Sequence, residues 1–259
     1  MAVNVARVSL RRILSLRELY RKEMDCQIVH DSWHGRGFTQ SWLITDDGRI
    51  AGYGSIGGAG REPRDVVKEF FLHASDRNRA DVLFRQFVVA SGARRIEAQT
   101  NDRLLTQLLL DSVERVERDR VLFADGHCTN HAFPDATFRP ITRRERSRVF
   151  QHEVEPVGDW VIEIQGEVVA TGGLMFHYNP PYSDIYMEVA APWRRRGIGA
   201  FLVQQLKRVS HEMQKVPAAR CAAANIASRR TLEKAGMIAC GWIINGTLRQ
   251  SGNPHSQIT

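Results

Sequence analysis

The sequence predicts a mixed α/β chain in which one order of elements is built twice. Three observations carry that prediction. The order hairpin, strand, helix, strand, helix, strand can be traced twice along the 259 residues. The apolar residues switch between the two-residue period of strands and the 3.6-residue period of helices. Pro134 and Pro140 interrupt regular structure near the middle, in "FPDATFRPIT". Together these predict a mixed sheet in each of two units, residues 1–135 and 136–259, both of ordinary domain size.

The first unit opens with "MAVNVARVSLRRILSLRELYRKEMD", which is Arg-rich and amphipathic. It has no apolar core of a secretory signal, and Glu18, Glu23 and Asp25 argue against a transit peptide, so a first helix is expected. "FTQSWLITDDGRIAGYGSIGG" reads as two strands joined at Asp46, Asp47 and Gly48, because Asp-Gly between β-rich runs is a strong hairpin signal. "VKEFFLH" is a strand and "RADVLFRQFVVASG" a helix closed by Gly92. "RRIEAQT" is a strand, "DRLLTQLLLDSV" a helix with Asp102 near its start, and "RVLFADG" the unit's last strand.

The second unit repeats the order. "DWVIEIQGEVVATGGLMF" is a hairpin turning at Gln165 and Gly166, and "SDIYMEVA" is a strand. "GIGAFLVQQLKRVSHEM" is a helix, with Ile198, Phe201, Leu202, Leu206 and Val209 on one face. "AARCAAA" is a short strand, "ASRRTLEKAG" a helix closed by Gly236, and "CGWIING" the last strand.

A net charge of +7 and a pI near 9.6 point to an anionic partner. Nucleic acid, a phosphorylated cofactor and a membrane surface all fit that charge. No apolar run approaches the roughly 20 residues of a membrane span. No aromatic-interleaved basic face or DNA-binding motif supports a nucleic-acid partner. Cys26, Cys128, Cys221 and Cys240 are scattered without C-x-x-C, which fits reduced thiols in the cytoplasm. His127, Cys128 and His131 lie close together in "HCTNH", but no second cluster completes a tetrahedral set, so a surface turn is expected and no metal.

Two glycine-rich stretches compete for a phosphate-binding role. "GYGSIG" (Gly52, Gly54, Gly57) matches G-x-G-x-x-G literally, but it lies inside a hairpin arm and is followed by loop rather than helix. A glycine-containing strand is the expectation there. "VAAPWRRRGIGAFL" (189–202) differs, because a strand ends, a turn follows and a helix begins. The first turn of a helix presents unpaired N–H groups and partial positive charge. Gly197 and Gly199 let a phosphate approach without meeting a Cβ, and Arg194, Arg195 and Arg196 add charge at the rim.

R-x-x-G-x-G (Arg194, Gly197, Gly199), after a strand and at a helix start, resembles the acyl-CoA signature of the GNAT superfamily of N-acyltransferases. "NIASRRTLEKAGM" (225–237) resembles the family's next segment, in which an Asn opens a helix ending in Lys-x-Gly-aromatic. The resemblance covers about residues 139–250 and implies two GNAT-like folds in tandem. The first half carries "HASDRNRADVL" where the signature belongs, so a degenerate copy without a cofactor site is implied there.

The resemblance further implies an N-acetyltransferase that moves an acetyl group from acetyl-CoA to a primary amine, by direct attack in a ternary complex. Met187, Glu188 and Val189 would flank the pantetheine arm, and the Val189 N–H would stabilise the oxyanion. Arg195, Arg196, Gly197, Ile198, Gly199 and Ala200 would surround the pyrophosphate, with Asn225 and Ser228 toward the arm or the adenine. Asn225 is also a good helix N-cap. Glu188 is the candidate general base. It shares a strand face with Asp184 and Tyr186, opposite Met187 and Val189. Its structural alternatives are pairing with an Arg or capping a turn.

Leu232 stands where many relatives carry a Tyr that protonates the leaving thiolate. Tyr178, Tyr182, Tyr186 and Cys221 are replacement candidates. Met237 replaces the closing aromatic. "ITRRERSRVFQHEVEPVGD" is short for the helices that usually wall the acceptor site, so the N-terminal half or a second copy in a homodimer would complete the wall. The acceptor is a small-molecule amine or a protein amino group. A non-catalytic acyl-CoA-binding sensor or scaffold is the alternative reading.

Overall fold

The computed structural model describes residues 2–24 and 27–249. Two units emerge, one of residues 1–119 with 242–259, the other of residues 120–241. This division is not a single cut at 135/136. The chain leaves the first unit, builds the second, and returns.

In the first unit, β1 (Val3–Val8), β2 (Thr39–Asp46), β3 (Arg49–Gly57), β4 (Val66–Leu72) and β5 (Arg95–Gln99) lie in that order. The β2–β3 turn is the expected one, with positive φ at Asp47 (47°) and Gly48 (78°), as a two-residue hairpin turn requires. Helices α1 (Leu14–Glu23) and α2 (Asp31–Gly35) precede that hairpin. Helix α3 (Ala80–Ser91) ends at Gly92 in the left-handed region, as its Gly predicted. Helix α4 (Arg103–Ser112) is capped by the Asp102 carboxylate, which accepts from the Leu105 N–H at 3.0 Å. Phe70, Phe84 and Phe87 form the centre of this unit's core, with ring centroids 5.1–6.3 Å apart.

Strand β1 departs from the expectation of helix at the N-terminus. It pairs antiparallel with β2 from Val3↔Asp46 to Val8↔Ser41. Val3 and Val5, two apart, share one face and pack on the core, so a period of two governs these residues and the helix starts later.

In the second unit the order is β7 (Ala136–Pro140), β8 (Trp160–Ile164), β9 (Glu167–Met175), β10 (Tyr182–Val189), β11 (Val216–Ala222), then β6 (Glu117–Asp125) from Arg120 on. Strand β7 falls where the prolines predicted a break. It pairs with β8 at the edge of the sheet, where a missing N–H costs no ladder bond. Helices α5 (Ile198–Glu212) and α6 (Ile226–Lys234) follow the expected pattern. The segment between β7 and β8 forms turns rather than helices. The Arg139 guanidinium holds it by donating to Glu145 and Glu163.

The last strands are exchanged relative to the sequence reading. β6 pairs antiparallel with β11 in the second unit. β12 (Met237–Thr247) enters the first unit at Trp242 and pairs antiparallel with β5, Ile243↔Gln99 to Thr247↔Arg95. In both units the central parallel pair, β4–β5 and β10–β11, separates beyond its first residues. The ladder pairs only Val66–Val67 in the first and Tyr182–Ile185 in the second.

Candidate active site

Beyond Ile185, β10 keeps β9 as a neighbour but has lost β11. In an antiparallel ladder, alternate residues turn their N–H and C=O toward that neighbour. The Ala190 N–H donates to the Val169 carbonyl at 2.9 Å. Val189, opposite Ala170, therefore turns its N–H and C=O away from β9, toward the gap. Its carbonyl accepts from Arg194 Nε at 3.0 Å, which leaves the N–H directed into the opening.

The turn after β10 continues the same surface. Arg195 has φ +63° and Gly197, the N-cap of α5, has φ +88°. Left-handed residues in such a turn bring successive N–H groups to one side, an anion-binding arrangement. The first closing bond of α5 runs from the Phe201 N–H to the Gly197 carbonyl, so the N–H groups of Ile198, Gly199 and Ala200 have no partner within the helix. A Cβ on Gly197 would lie 3.8 Å from Lys234 Nζ, which places that ammonium at the helix N-terminus. A Cβ on Gly199 would lie 3.0 Å from Thr231 Cγ2 and 3.3 Å from Met187 Cε, so Gly199 also permits the close approach of α5 to α6 and β10.

These groups line one cleft of about 700 Å³. Of the residues singled out in the sequence, Met187, Glu188, Val189, Arg194, Arg195, Gly197, Gly199, Ala200, Asn225 and Ser228 line it. Arg196 and Ile198 do not. Arg196 lies over the Trp193 ring, 4.9 Å from its centroid, and the Ile198 side chain is buried under the helix. Asn225 caps α6, its side-chain oxygen accepting from the Ser228 N–H at 3.0 Å. Sequence reasoning missed Arg230, Thr231 and Lys234 on α6, Trp193, and the loop residues Glu153, Val154 and Glu155. Lys234 was in plain view as the Lys of Lys-x-Gly. The loop left no local signal.

That loop is fixed by Glu188. Its Oε1 accepts from the Glu153 N–H at 2.7 Å, and its Oε2 from those of Val154 and Glu155 at 3.1 and 3.0 Å. Burial opposes its ionisation, yet these three donors and His152 hold its pKa below the usual carboxylate range. This is the geometry of the turn-capping alternative. Arg194 reaches Glu153 at 3.2 Å and Glu188 at 3.8 Å, so it ties the loop to β10 rather than standing free at the rim.

The other titratable candidates lie outside the cleft lining. Asp184 is buried and pushed up to about 6, chiefly by desolvation, with Arg220 Nε 3.3 Å away opposing the shift. Burial raises Tyr186 and also the Cys221 thiol. Tyr178 accepts a hydrogen bond from Arg220. Tyr182 is likewise absent from the cleft lining. Leu232 and Met237 are core residues. Among the described residues no cluster of His, Cys, Asp or Glu suits a metal ion, and His131 instead contacts the Lys234 carbonyl at 2.7 Å.

In "GYGSIG", the glycines belong to β3 and serve packing. A Cβ on Gly54 would lie 2.5 Å from the Phe87 ring, and one on Gly52 would lie 1.9 Å from the Phe71 carbonyl oxygen. Among the described residues no helix is long and apolar enough to cross a membrane.

Comparison with known proteins agrees with this geometry. Residues 124–237 match the model of the Acetyltransferase (GNAT) family. No curated protein sequence matches the chain. Among solved structures, a GNAT-family acetyltransferase from Colwellia psychrerythraea superposes with a TM-score of 0.76 at 12% identity, covering 95% of this chain and 100% of that one. A tandem GNAT protein from the clavulanic acid biosynthesis pathway gives 0.63 at 10% identity, covering 97% and 100%. A GCN5-related N-acetyltransferase from Sphaerobacter thermophilus gives 0.57 at 13% identity, covering 95% and 96%. At these identities the likeness is one of fold, two GNAT-like folds in tandem, and the cleft falls within the matched segment. Residues 124–237 carry the match to the GNAT acetyltransferase family model, and the chain's fold is that of two GNAT-like units in tandem.

Proposed function

We propose that the cleft of the second unit binds acetyl-CoA and that the chain transfers its acetyl group to a primary amine. The observation that carries this reading is the continuity of two features. The bare N-terminus of α5, with Arg195, Arg230 and Lys234 around it, suits a pyrophosphate. It leads directly into the opening beside β10, where the Val189 N–H can meet a thioester carbonyl. Met187 and Val189 would lie along the apolar arm. Asn225 and Ser228 line the same cleft from the start of α6. The amine attacks the carbonyl carbon, the carbon–sulfur bond breaks and CoA leaves as a thiol. Positioning of the two substrates supplies much of the rate.

A non-catalytic acyl-CoA sensor is the second reading, favoured by one observation. Leu232 is in the core, and none of Tyr178, Tyr182, Tyr186 or Cys221 lines the cleft to protonate the thiolate. A thiol pKa near 8.5 makes CoA a fair leaving group without such an acid. Calorimetry with acetyl-CoA, followed by thiol detection with lysine, glucosamine, tyramine, spermidine and a lysine-containing peptide, separates the readings. One site per chain and thiol release with at least one amine is expected. Binding without turnover supports the sensor. Absence of binding overturns both.

A further inference from the structure

Three acidic residues line the cleft, Glu153, Glu155 and Glu188, and the surroundings of their carboxylates differ. Glu153 is exposed and paired with Arg194. Glu188 has both oxygens engaged by backbone N–H groups. A proton taken there would break the bonds that hold the loop. Glu155 is half-buried, and among the described residues its carboxylate makes no hydrogen bond and no ion pair. Its backbone is nevertheless clamped, because its N–H donates to Glu188 and its carbonyl lies 2.8 Å from His152 Nδ1. His152 in turn stacks on Phe150, with centroids 4.7 Å apart.

We infer that Glu155 is the base that takes the proton of the acceptor amine, and that Glu188 is the positioning residue that holds Glu155 at the cleft. This rests on acyl transfer at the cleft, as proposed above. The ammonium gives one proton to the Glu155 carboxylate, and the free nitrogen lone pair forms the new bond to the acetyl carbon. The carbon–sulfur bond breaks, and its electrons go to sulfur. The nitrogen's second departing proton neutralises the thiolate, and Glu155 returns its proton to solvent. No oxidant or metal is needed for the balance.

The groups facing Glu155 are Arg220 on β11, Arg120 on β6, Asp184, Tyr186 and Glu188 on β10, and His152 in the loop. Burial raises its pKa, the arginines and His152 oppose, and Glu188 adds to the rise. A carboxylate tuned upward is a better base than Glu188, whose pKa is lowered.

The test uses the full chain, acetyl-CoA and the fastest amine of the panel. Glu155→Gln should bind acetyl-CoA within about twofold of wild type, while kcat falls by roughly 10²–10⁴-fold. The loss should shrink at high pH, where the amine is already free. Glu188→Gln should raise KM and lower kcat together and open residues 149–158 to proteolysis, yet keep the acidic limb of the pH profile. If Glu155→Gln does not fold, Glu155→Ala rescued by added formate is the second variant, since a purely structural role gives no such rescue. Full kcat in Glu155→Gln with an unaltered profile overturns the assignment. So does loss of the acidic limb in Glu188→Gln alone. A wild-type chain that binds acetyl-CoA but acetylates no amine overturns the acyl-transfer reading and this assignment with it.

Discussion

In both units a parallel strand pair opens beyond its first residues, and the filling of that opening differs. In the second unit the opening beside β10 is part of a cleft of about 700 Å³. In the first, the chain's own residues 27–29 are buried there. Gln99 at the end of β5 donates from Nε2 to the Ile28 carbonyl at 2.6 Å, and its Oε1 accepts from the Ile28 N–H at 3.4 Å. The space left among Ile28, His30, Lys68, Gln99 and Asp102 is about 10 Å³, enough for a single water. Behind it, Arg17 donates two hydrogen bonds to the buried Glu69 on β4, which also accepts from Tyr53 and contacts His34.

The helix starts differ in the same sense. Helix α5 begins Gly197-Ile198-Gly199 under basic side chains, whereas α3 begins Ala80-Asp81, with a carboxylate in its first turn that would repel a phosphate. One sheet geometry thus serves as a binding cleft or as a packed core, according to which side chains and which stretch of backbone close it.

The comparison is broken most severely at Arg17. Arg17→Met strands Glu69, wholly buried, and should cost about 3–5 kcal/mol of stability, read by denaturant unfolding. Glu69 has its pKa held well below the usual range by His34 and Arg17 against the desolvation that would raise it. Its contribution is therefore complete above the unfolded pKa, about 4.3, and is lost as pH falls through its lower folded value. A variant as stable as wild type at pH 7 would mean that the ion pair does not hold the filled opening together.

A smaller effect is expected at the other helix start. Gly197→Asp puts a carboxylate and a Cβ where phosphates are proposed to sit. Acetyl-CoA affinity should fall at least tenfold, on the basis of roughly 1.5–3 kcal/mol per lost charge-assisted contact. Calorimetry showing unchanged affinity would remove the α5 N-terminus from the site. The left-handed φ of Gly197 adds strain to any replacement, so Gly197→Asn is the control that separates charge from conformation.

The smallest effect concerns the filled opening. Asp102 is pushed up to about 6, chiefly by burial, although the Leu105 N–H and the Tyr20 hydroxyl favour its ionised form. A carboxyl whose folded pKa is raised binds more protons folded than unfolded between about pH 4 and 6, so stability falls as pH rises through that window. Asp102→Asn keeps the cap without the charge. It should match wild type at pH 4 and melt a few degrees higher at pH 7. Equal melting temperatures at both pH values would show that the site is wetter than the packing indicates.

What was legible in the sequence follows from how locally each feature is specified. Gly197 and Gly199 could be read because positive φ and close helix approach demand a residue type at a position. Asp46-Asp47-Gly48 and Asp102 were readable for the same reason. Glu188 carried two readings, because strand alternation gives its face and not its partners. Glu155 and Val154 were silent, since their position depends on a carboxylate more than thirty residues away. The filling of the first opening by Ile28 depends on Gln99 in the same manner. The exchange of final strands was also beyond reach. "RVLFADG" and "CGWIING" are both short apolar strands, and nothing in either states which sheet it completes.

That exchange has a consequence for the chain as it is made. A ribosome delivers β5 early, but the strand that flanks it, Ile243–Thr247, emerges only after the whole of the second unit. At about 5–20 residues per second, the apolar flank of β5 waits on the order of ten to thirty seconds without its partner. The first unit is therefore completed after the second has been synthesised, and during that interval its open edge invites pairing with other nascent chains.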